Sequence, residues 1–536
     1  MTYIIVGGGI AGLYTAYKIY QKKPKAKIII LEASPRFGGR IETNYKQGLH
    51  FEAGAGRFNN KHKMLHALLV ELDLIKYKMA ITKSSEIIIL PHSKTFDTYA
   101  TEFPSFDSII KRIYIEVNKQ KLSNTVLIST NLLDLATKLL PQFPEISKYM
   151  VDTYPYYSEL KWLNAKSALD VFINEFNEEI QYYILSKGLT EVIKNIIQSF
   201  RKHNCRLYTS TACTDIKYDD ATNQYIVYTT NKGILELRCN TLVLACNKVA
   251  LEQFSLLKPI KPLFDSVTVQ PLYRIYARYP KNDDGNYWFS DIKKTVTNLK
   301  IKYVIPYDMK NGLVMISYTD SKYANYWLNL RLKSEDAFMT ELNRELGKLY
   351  PNINIPAPLW MSHHYWANAA AYWRVGYDAN NIIPKIIQPF NGKSLYICGE
   401  NYSNHQAWIE GALETANLVL DKLEVDEHKK LNKTKKLQTN KSELIAMKKI
   451  NGGSVKSYTF AEVAKHNKKS DALIIIHNKV YDITKWIPNH PGGDIIMKGV
   501  GKDATSMFES IGHSSHAHLI LKNYFIGHLI SKSDKT

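Results

Sequence analysis

Cysteine is scarce in this sequence and poorly placed for cross-links. Its five residues, Cys205, Cys213, Cys239, Cys246 and Cys398, are odd in number and form no CxxC pair. That excludes a disulfide framework and fits a reducing compartment. Runs of about twenty apolar residues are also missing, so no transmembrane segment is expected. A cleaved leader is not expected either, because Tyr3 already belongs to the first strand. The polar ending "LISKSDKT" offers no anchor. An intracellular, cytoplasmic location is expected, or the virion for a chain of large-virus origin. Acidic residues are outnumbered: 50 Asp and Glu stand against 70 Lys and Arg, a formal charge of +20. Such a surplus favours weak charge-driven contact with nucleic acid or anionic membrane and says nothing about fold. With 536 residues, 45% of them hydrophobic, the chain is long enough for two to four domains with a large core.

What is present begins at the first residues. "TYIIVGGGIAGLYTAYKIYQ" reads as a buried strand, a glycine turn and a helix. Gly7, Gly9 and Gly12 have the GxGxxG spacing. The first glycine allows the turn, the second a close approach of backbone to pyrophosphate, the third tight helix–strand contact. Phosphate would then meet the helix N-terminus. A second strand, "AKIIILEAS", ends near Glu32, placed to contact a ribose hydroxyl. This motif predicts a dinucleotide site without choosing NAD or FAD.

The following stretch makes that choice. "LEASPRFGGRIET" resembles the second signature of the flavin-containing amine oxidase family, which includes monoamine, polyamine and L-amino-acid oxidases. Arg36, Gly38, Gly39 and Arg40 carry the match. The resemblance implies FAD, with glycines exposing backbone N–H groups and arginines neutralising phosphate. "SLYICGENYSNHQAWIEGALETANLVL" is similar to the family's last FAD segment. It places Gly399 in the strand–helix turn and implies that Glu400 contacts the phosphate–ribose region. "ANAAAYW" has no cysteine where some monoamine oxidases attach FAD covalently, so a dissociable flavin is expected.

"FEAGAGRFNNKHKML" resembles the amino-acid-oxidase branch, in which Arg57 would pair with a substrate carboxylate. A guanidinium fork suits both oxygens of a carboxylate. The plainer alternatives are an internal ion pair or exposure. Trp408, in "QAWIEGAL", matches the family's aromatic wall beside the flavin, and Tyr372 or Trp373 would face it; an aromatic stripe is also ordinary core. In "VQPLYRIYARYP", Arg274 falls where relatives place a lysine bridged by water to flavin N5. It could fix a water, but as an arginine it would not release a proton. A salt-bridged or surface arginine is the alternative.

Between His428 and Lys456 the chain carries nine lysines, no arginine and one acid, Glu443. It reads as a basic linker with a typical coil span of about 30 Å. Beyond it, "SYTFAEVAKHN" predicts a helix capped by Thr459, and "ALIIIHNKVYDI" a hairpin with an Asn-Lys turn. "NHPGGD" and "GHSSHA" then make a close match to cytochrome b5. The resemblance implies that His490 and His513 are the axial ligands of a haem b iron. Two imidazoles suit iron and leave no open coordination site, so electrons would pass singly. Ile495, Ile496, Met507, Phe508, Leu519 and Leu521 would wall the haem. His516 and His518 are read as surface residues.

The expected architecture is an α/β FAD-binding Rossmann-like domain with an inserted α+β substrate domain, followed by a small α+β cytochrome b5-like domain. The FAD-binding parts are assigned to 1–80, 188–260 and 384–423, and the substrate domain to 81–187, mainly helical, and 261–383. The linker is 424–456 and the haem domain 457–530. The expected activity is FAD-dependent oxidation of the CH–NH group of an L-amino acid or amine. Molecular oxygen or a redox protein would accept the electrons, with the haem as a further outlet. Two alternatives stand beside it: a flavin-dependent desaturase or dehydrogenase of an apolar molecule, and a tethered redox partner with little oxidase activity.

Overall fold

Strands Thr2–Val6, Lys27–Leu31, Cys205–Tyr208, Thr241–Leu244 and Leu395–Ile397 are mostly aliphatic, as strands covered on both faces must be. They form one parallel sheet, with Thr2–Val6 between Lys27–Leu31 and Thr241–Leu244. This computed structural model describes residues 2–81, 85–91, 93–175, 179–201, 205–427, 456–490, 492–511, 517, 520–521 and 523–530. Its contacts divide the chain into two units, 1–428 and 429–536.

In the first unit, helix Ile10–Lys22 follows the first strand directly and buries Leu13 and Ala16 completely. The final helical stretch runs from 409 to 427, past the expected domain end at 423. Its last turn is polar in sequence, but Glu424 and Glu427 pair with Lys22 and Lys23 of the first helix. The second layer is a six-stranded sheet in the order Trp360–Trp373, Val267–Arg278, Leu313–Asp320, Tyr303–Asp308, Lys294–Thr297, Ser85–Ile88. All its pairs are antiparallel except the last. Between 94 and 175 lies a helical block. Its helix Phe106–Lys119 starts at a Ser105/Ser108 capping box and buries Ile109, Ile110, Ile113 and Val117, the spacing of one helix face.

The second unit is built on a five-stranded sheet in the order Ser457–Tyr458, Phe525–Leu529, Lys479–Asp482, Asp471–Ile476, Asn467–Lys468. Strand Asp471–Ile476 alternates: Ala472, Ile474 and Ile476 enter one core, Leu473 and Ile475 another. Thr459 caps helix Phe460–Lys465 in a capping box with Glu462. The hairpin turn falls at His477–Asn478, both at positive φ (50° and 57°), not at the expected Asn-Lys pair. Two positive φ values give the turn the twist of its flanking strands, and Asn tolerates them well. Among the described residues no helix is long and apolar enough to cross a membrane.

Candidate active site

One cavity of about 870 Å³ connects the first glycine turn to Arg57. At its dinucleotide end Gly7 has φ +109°, and a Cβ there would sit 2.4 Å from the Ala245 carbonyl oxygen. A Cβ on Gly12 would lie 2.1 Å from the Gly7 carbonyl oxygen, so helix and turn can meet only through glycine. Gly9 differs: its nearest obstacle is Gly39 Cα at 3.9 Å, so its backbone remains open to a ligand in the cavity. Glu32 accepts from the Gly8 and Ser34 N–H groups, both at 2.8 Å. This fixes the turn and leaves lone pairs on each carboxylate oxygen for a hydroxyl. Gly38 N donates to Gly8 O at 2.8 Å, which draws the second glycine segment against the first.

The two arginines of that segment already have partners. Arg36 pairs with Glu42 at 2.6 Å and donates to the Gly39 carbonyl at 2.8 Å. Arg40 pairs with Glu400 at 2.7 Å and donates to the Ala369 carbonyl at 2.7 Å. Glu400, 3% exposed, also accepts from Asn401 and from the Ala371 and Ala407 N–H groups. Both its oxygens are engaged within the protein. The dinucleotide end therefore offers a phosphate chiefly backbone N–H groups and a helix N-terminus, in a cradle that side chains on its glycines would fill. These features fit FAD.

Trp408 lies at the other end. Ala407, held at φ 67°, donates its N–H to Glu400 at 2.7 Å. Glu410 accepts from Met64 N and Leu65 N at 2.8 and 2.9 Å, and so ties the 409–427 helix to the start of helix Lys63–Glu71. Between these anchors the indole stacks on Tyr182 at 6.2 Å and 22° and meets His62 at 4.7 Å. Arg57 stands over the same group, 5.8 Å from the Trp408 ring and 5.0 Å from Tyr182, and donates to the Tyr156 hydroxyl at 3.0 Å. Among the described residues it has no carboxylate partner. Burial opposes its charge, yet the surrounding tyrosine oxygens hold its pKa well above the usual arginine value. Tyr372 lines the cavity and is buried.

Arg274 lines the same cavity. It is buried and donates to the carbonyls of Glu52 and Gly54 and to the Tyr318 hydroxyl. These bonds pin the segment before Arg57, while the Arg274 Nε is buried with no hydrogen-bond partner among the described residues. Glu52, buried beside it, is pushed up to about 7 by burial, which its own hydrogen bonds only partly oppose. Tyr156, Tyr182, Tyr318, Glu159 and Lys294 escaped the sequence reading. Lys294 is lowered to about 8 by burial and by Arg57 nearby. No spacing signals these residues, and 36 tyrosines in the chain hide the few that meet at the site.

In the second unit, His490 follows the short helical turn Ile487–Asn489. Its Nδ1 lies 3.2 Å from the Gly493 carbonyl oxygen, the kind of contact that fixes the ring orientation of a metal-binding histidine. Gly493 has φ +61°, and a Cβ on Gly492 would come within 3.0 Å of the imidazole. Gly492 thus makes room for the ring and Gly493 takes the left-handed backbone of the turn, and this fits a haem ligand. His513, His516, His518 and Leu519 lie outside the described residues. Of the expected haem wall, Ile496, Phe508 and Leu521 pack on the core; Ile495 and Met507 do not, being 51% and 43% exposed.

Comparison with known proteins matches both units. The family described as flavin containing amine oxidoreductase matches residues 10–117 and 148–419. The cytochrome b5-like heme/steroid binding domain matches residues 459–530. Among curated proteins, cytochrome b5 of Nicotiana tabacum is 45% identical over 86 residues, which are 16% of this chain and 63% of that protein. Cytochrome b5 of Borago officinalis is 51% identical over 79 residues, 15% of this chain and 60% of that protein. The chain thus spans about three fifths of the length of these relatives. Among solved structures, the "Putative protoporphyrinogen oxidase" of Exiguobacterium sp. 255-15 superposes with a TM-score of 0.58 at 13% identity, covering 79% of this chain and 99% of that one. At that identity the likeness speaks for the fold alone.

Proposed function

Because the chain belongs to the flavin containing amine oxidoreductase family and ends in a cytochrome b5-like haem-binding domain, we propose that it oxidises the CH–NH group of an L-amino acid or related amine. Arg57 carries this reading: a half-buried cation on the cavity wall, ringed by aromatic groups and with no carboxylate partner among the described residues. Its fork would take the substrate carboxylate. Trp408 and Tyr182 would confine the substrate and orient its α-carbon. Gly7, Gly9, Gly12, Glu32, Gly38, Gly39 and Gly399 would hold the dinucleotide, with Arg36, Arg40 and Glu400 setting the shape of its bed. FAD, when bound, supplies the two-electron acceptor for the hydride leaving that carbon. The nitrogen loses a proton, and water hydrolyses the resulting imine to a 2-oxo acid and ammonia, or to an aldehyde or ketone for an amine. No residue need act as a strong base if the amine enters neutral.

His490 and His513 would hold the iron of a haem b, which would supply a one-electron acceptor, with molecular oxygen or a redox protein as the final acceptor. The test is an anaerobic screen of amino acids, polyamines and monoamines against the holoprotein, followed by absorbance. An amino acid or amine should bleach the flavin, and ferrous haem should follow at a rate independent of protein concentration. Bleaching with the haem left ferric would remove the electron path. No bleaching by any of them would remove the substrate class in favour of dehydrogenation of an apolar molecule.

A further inference from the structure

Arg57 has one hydrogen-bond partner among the described residues, the Tyr156 hydroxyl at 3.0 Å, and stands 5.9 Å from that ring. Tyr156 ends the short stretch 154–156 between helices Ile146–Thr153 and Tyr157–Lys161. Side chains of the six-stranded sheet and its turns hold that stretch from both sides. On the first side is Lys302, 1% exposed, in the turn between strands Lys294–Thr297 and Tyr303–Asp308. Its Nζ donates to the Val151 carbonyl at 3.0 Å and lies 4.6 Å from the Tyr323 ring centroid. Val151 belongs to the last turn of its helix, where carbonyls have no donor within the helix and a cation is favoured. On the second side is Asp320, 3% exposed, at the end of strand Leu313–Asp320. Its two oxygens accept from Tyr157 N at 3.0 Å and Ser158 N at 2.8 Å, the first N–H groups of the next helix. Tyr303, which follows Lys302, and Tyr318, two residues before Asp320, bring their rings within 5.8 and 5.3 Å of the Tyr156 ring.

We propose that Lys302 and Asp320 are positioning residues for anion binding at Arg57, and that they act through Tyr156. A cation at the end of one helix and an acid at the start of the next fix the turn between them, because each charge meets backbone groups its helix leaves unpaired. Tyr156 is thereby kept beside the guanidinium. Buried charge is a costly means of holding a turn, and an apolar side chain would fill the same space at less cost. Burial lowers the Lys302 pKa to about 8, against the upward pull of Asp152 and Asp320. The charge is therefore read as serving the placement of Tyr156. A guanidinium that waits for a ligand needs such support, since a misplacement of about 1 Å can cost a site much of its effect. This role rests on the reading of Arg57 as the carboxylate site.

The test is calorimetric titration of the full chain, FAD and haem bound, with sodium benzoate, against sodium chloride at equal ionic strength. Benzoate should bind the wild type, and Tyr156→Phe should weaken it about tenfold, the order of a hydrogen bond to a charged group. Lys302→Met should weaken it by about the same factor with FAD content retained. In the double variant Lys302→Met/Tyr156→Phe the loss should be no greater than in Tyr156→Phe alone, since residues acting through one contact are not additive. Lys302→Arg, which keeps a cation and a donor, should restore most of the affinity. If Lys302→Met fails to fold, Asp320→Asn takes its place in the same cycle. Additive losses, or unchanged affinity in Lys302→Met, would overturn the role while leaving Arg57 as the anion site. Benzoate binding as tightly to Arg57→Met as to the wild type, or not at all to the wild type, would remove the carboxylate reading of Arg57 and this role with it.

Discussion

Arg36 and Arg40 at one end of the large cavity, and Arg57 at the other, are the same residue type in opposite electrostatic conditions. The first two have acids at 2.6 and 2.7 Å; Arg57 has tyrosine oxygens and aromatic faces. A half-buried guanidinium whose charge is matched inside the protein holds shape. One left without a carboxylate partner among the described residues is proposed to be kept for an anion from outside, since a partly desolvated charge without a counter-charge is costly. The cofactor end is therefore read as a finished cradle and the substrate end as a site completed by its ligand.

That contrast can be challenged from the cofactor side first. Gly12→Val places side-chain atoms against the Gly7 carbonyl, already 2.1 Å from a Cβ. The purified variant should lose nearly all its flavin, while the haem unit, with separate cores, should keep its spectrum; normal flavin content would refute the packing argument. Arg40→Gln should then destabilise the flavin unit by about 3 kcal/mol by leaving Glu400 buried without its cation. The double change with Glu400→Gln should recover part of that loss in the melting temperature. Additive losses would show that the pair does not act as a unit.

Glu52 gives a pH-dependent version of the same question. Its folded pKa of about 7 lies above the ordinary 4.5, so the folded protein holds this proton more tightly than the unfolded chain. Stability from it is fully present below about pH 4.5 and is lost as pH rises through 7, a change of about 3 kcal/mol. Glu52→Gln should flatten the decline in melting temperature between pH 5 and 8; an unchanged slope would assign the decline elsewhere. The smallest effect belongs to the haem unit. Thr459→Ala removes a capping-box hydroxyl and should cost about 1 kcal/mol there, with no change in the flavin unit's melting.

The glycine cradle was legible because each of its constraints is local. Gly7, Gly9, Gly12 and Glu32 act within one strand–turn–helix–strand unit, and the Arg36–Arg40 segment follows it directly. Thr459 was legible for the same reason. The pairings were not. Arg274 is fixed by carbonyls of Glu52 and Gly54, more than two hundred positions earlier, and strand patterning says nothing of such a partner. The 424–427 turn looked like linker because Lys22 and Lys23, which stabilise it, lie at the other end of the unit. Glu159 and Tyr156 sit in a helical block whose sequence reads as plain amphipathic packing. They join the cavity only because strand Leu313–Asp320 brings Asp320 to the start of helix Tyr157–Lys161.

The central claim is that Arg57 is held for a substrate carboxylate, and anaerobic stopped-flow reduction of the flavin tests it most directly. The comparison is an amino acid found active in the screen against its decarboxylated amine, in the wild type and in Arg57→Lys. The account predicts that the substitution slows reduction by the amino acid far more than by the amine, a difference of about 2–5 kcal/mol for loss of a buried charge-assisted contact. Equal slowing of both substrates would contradict it.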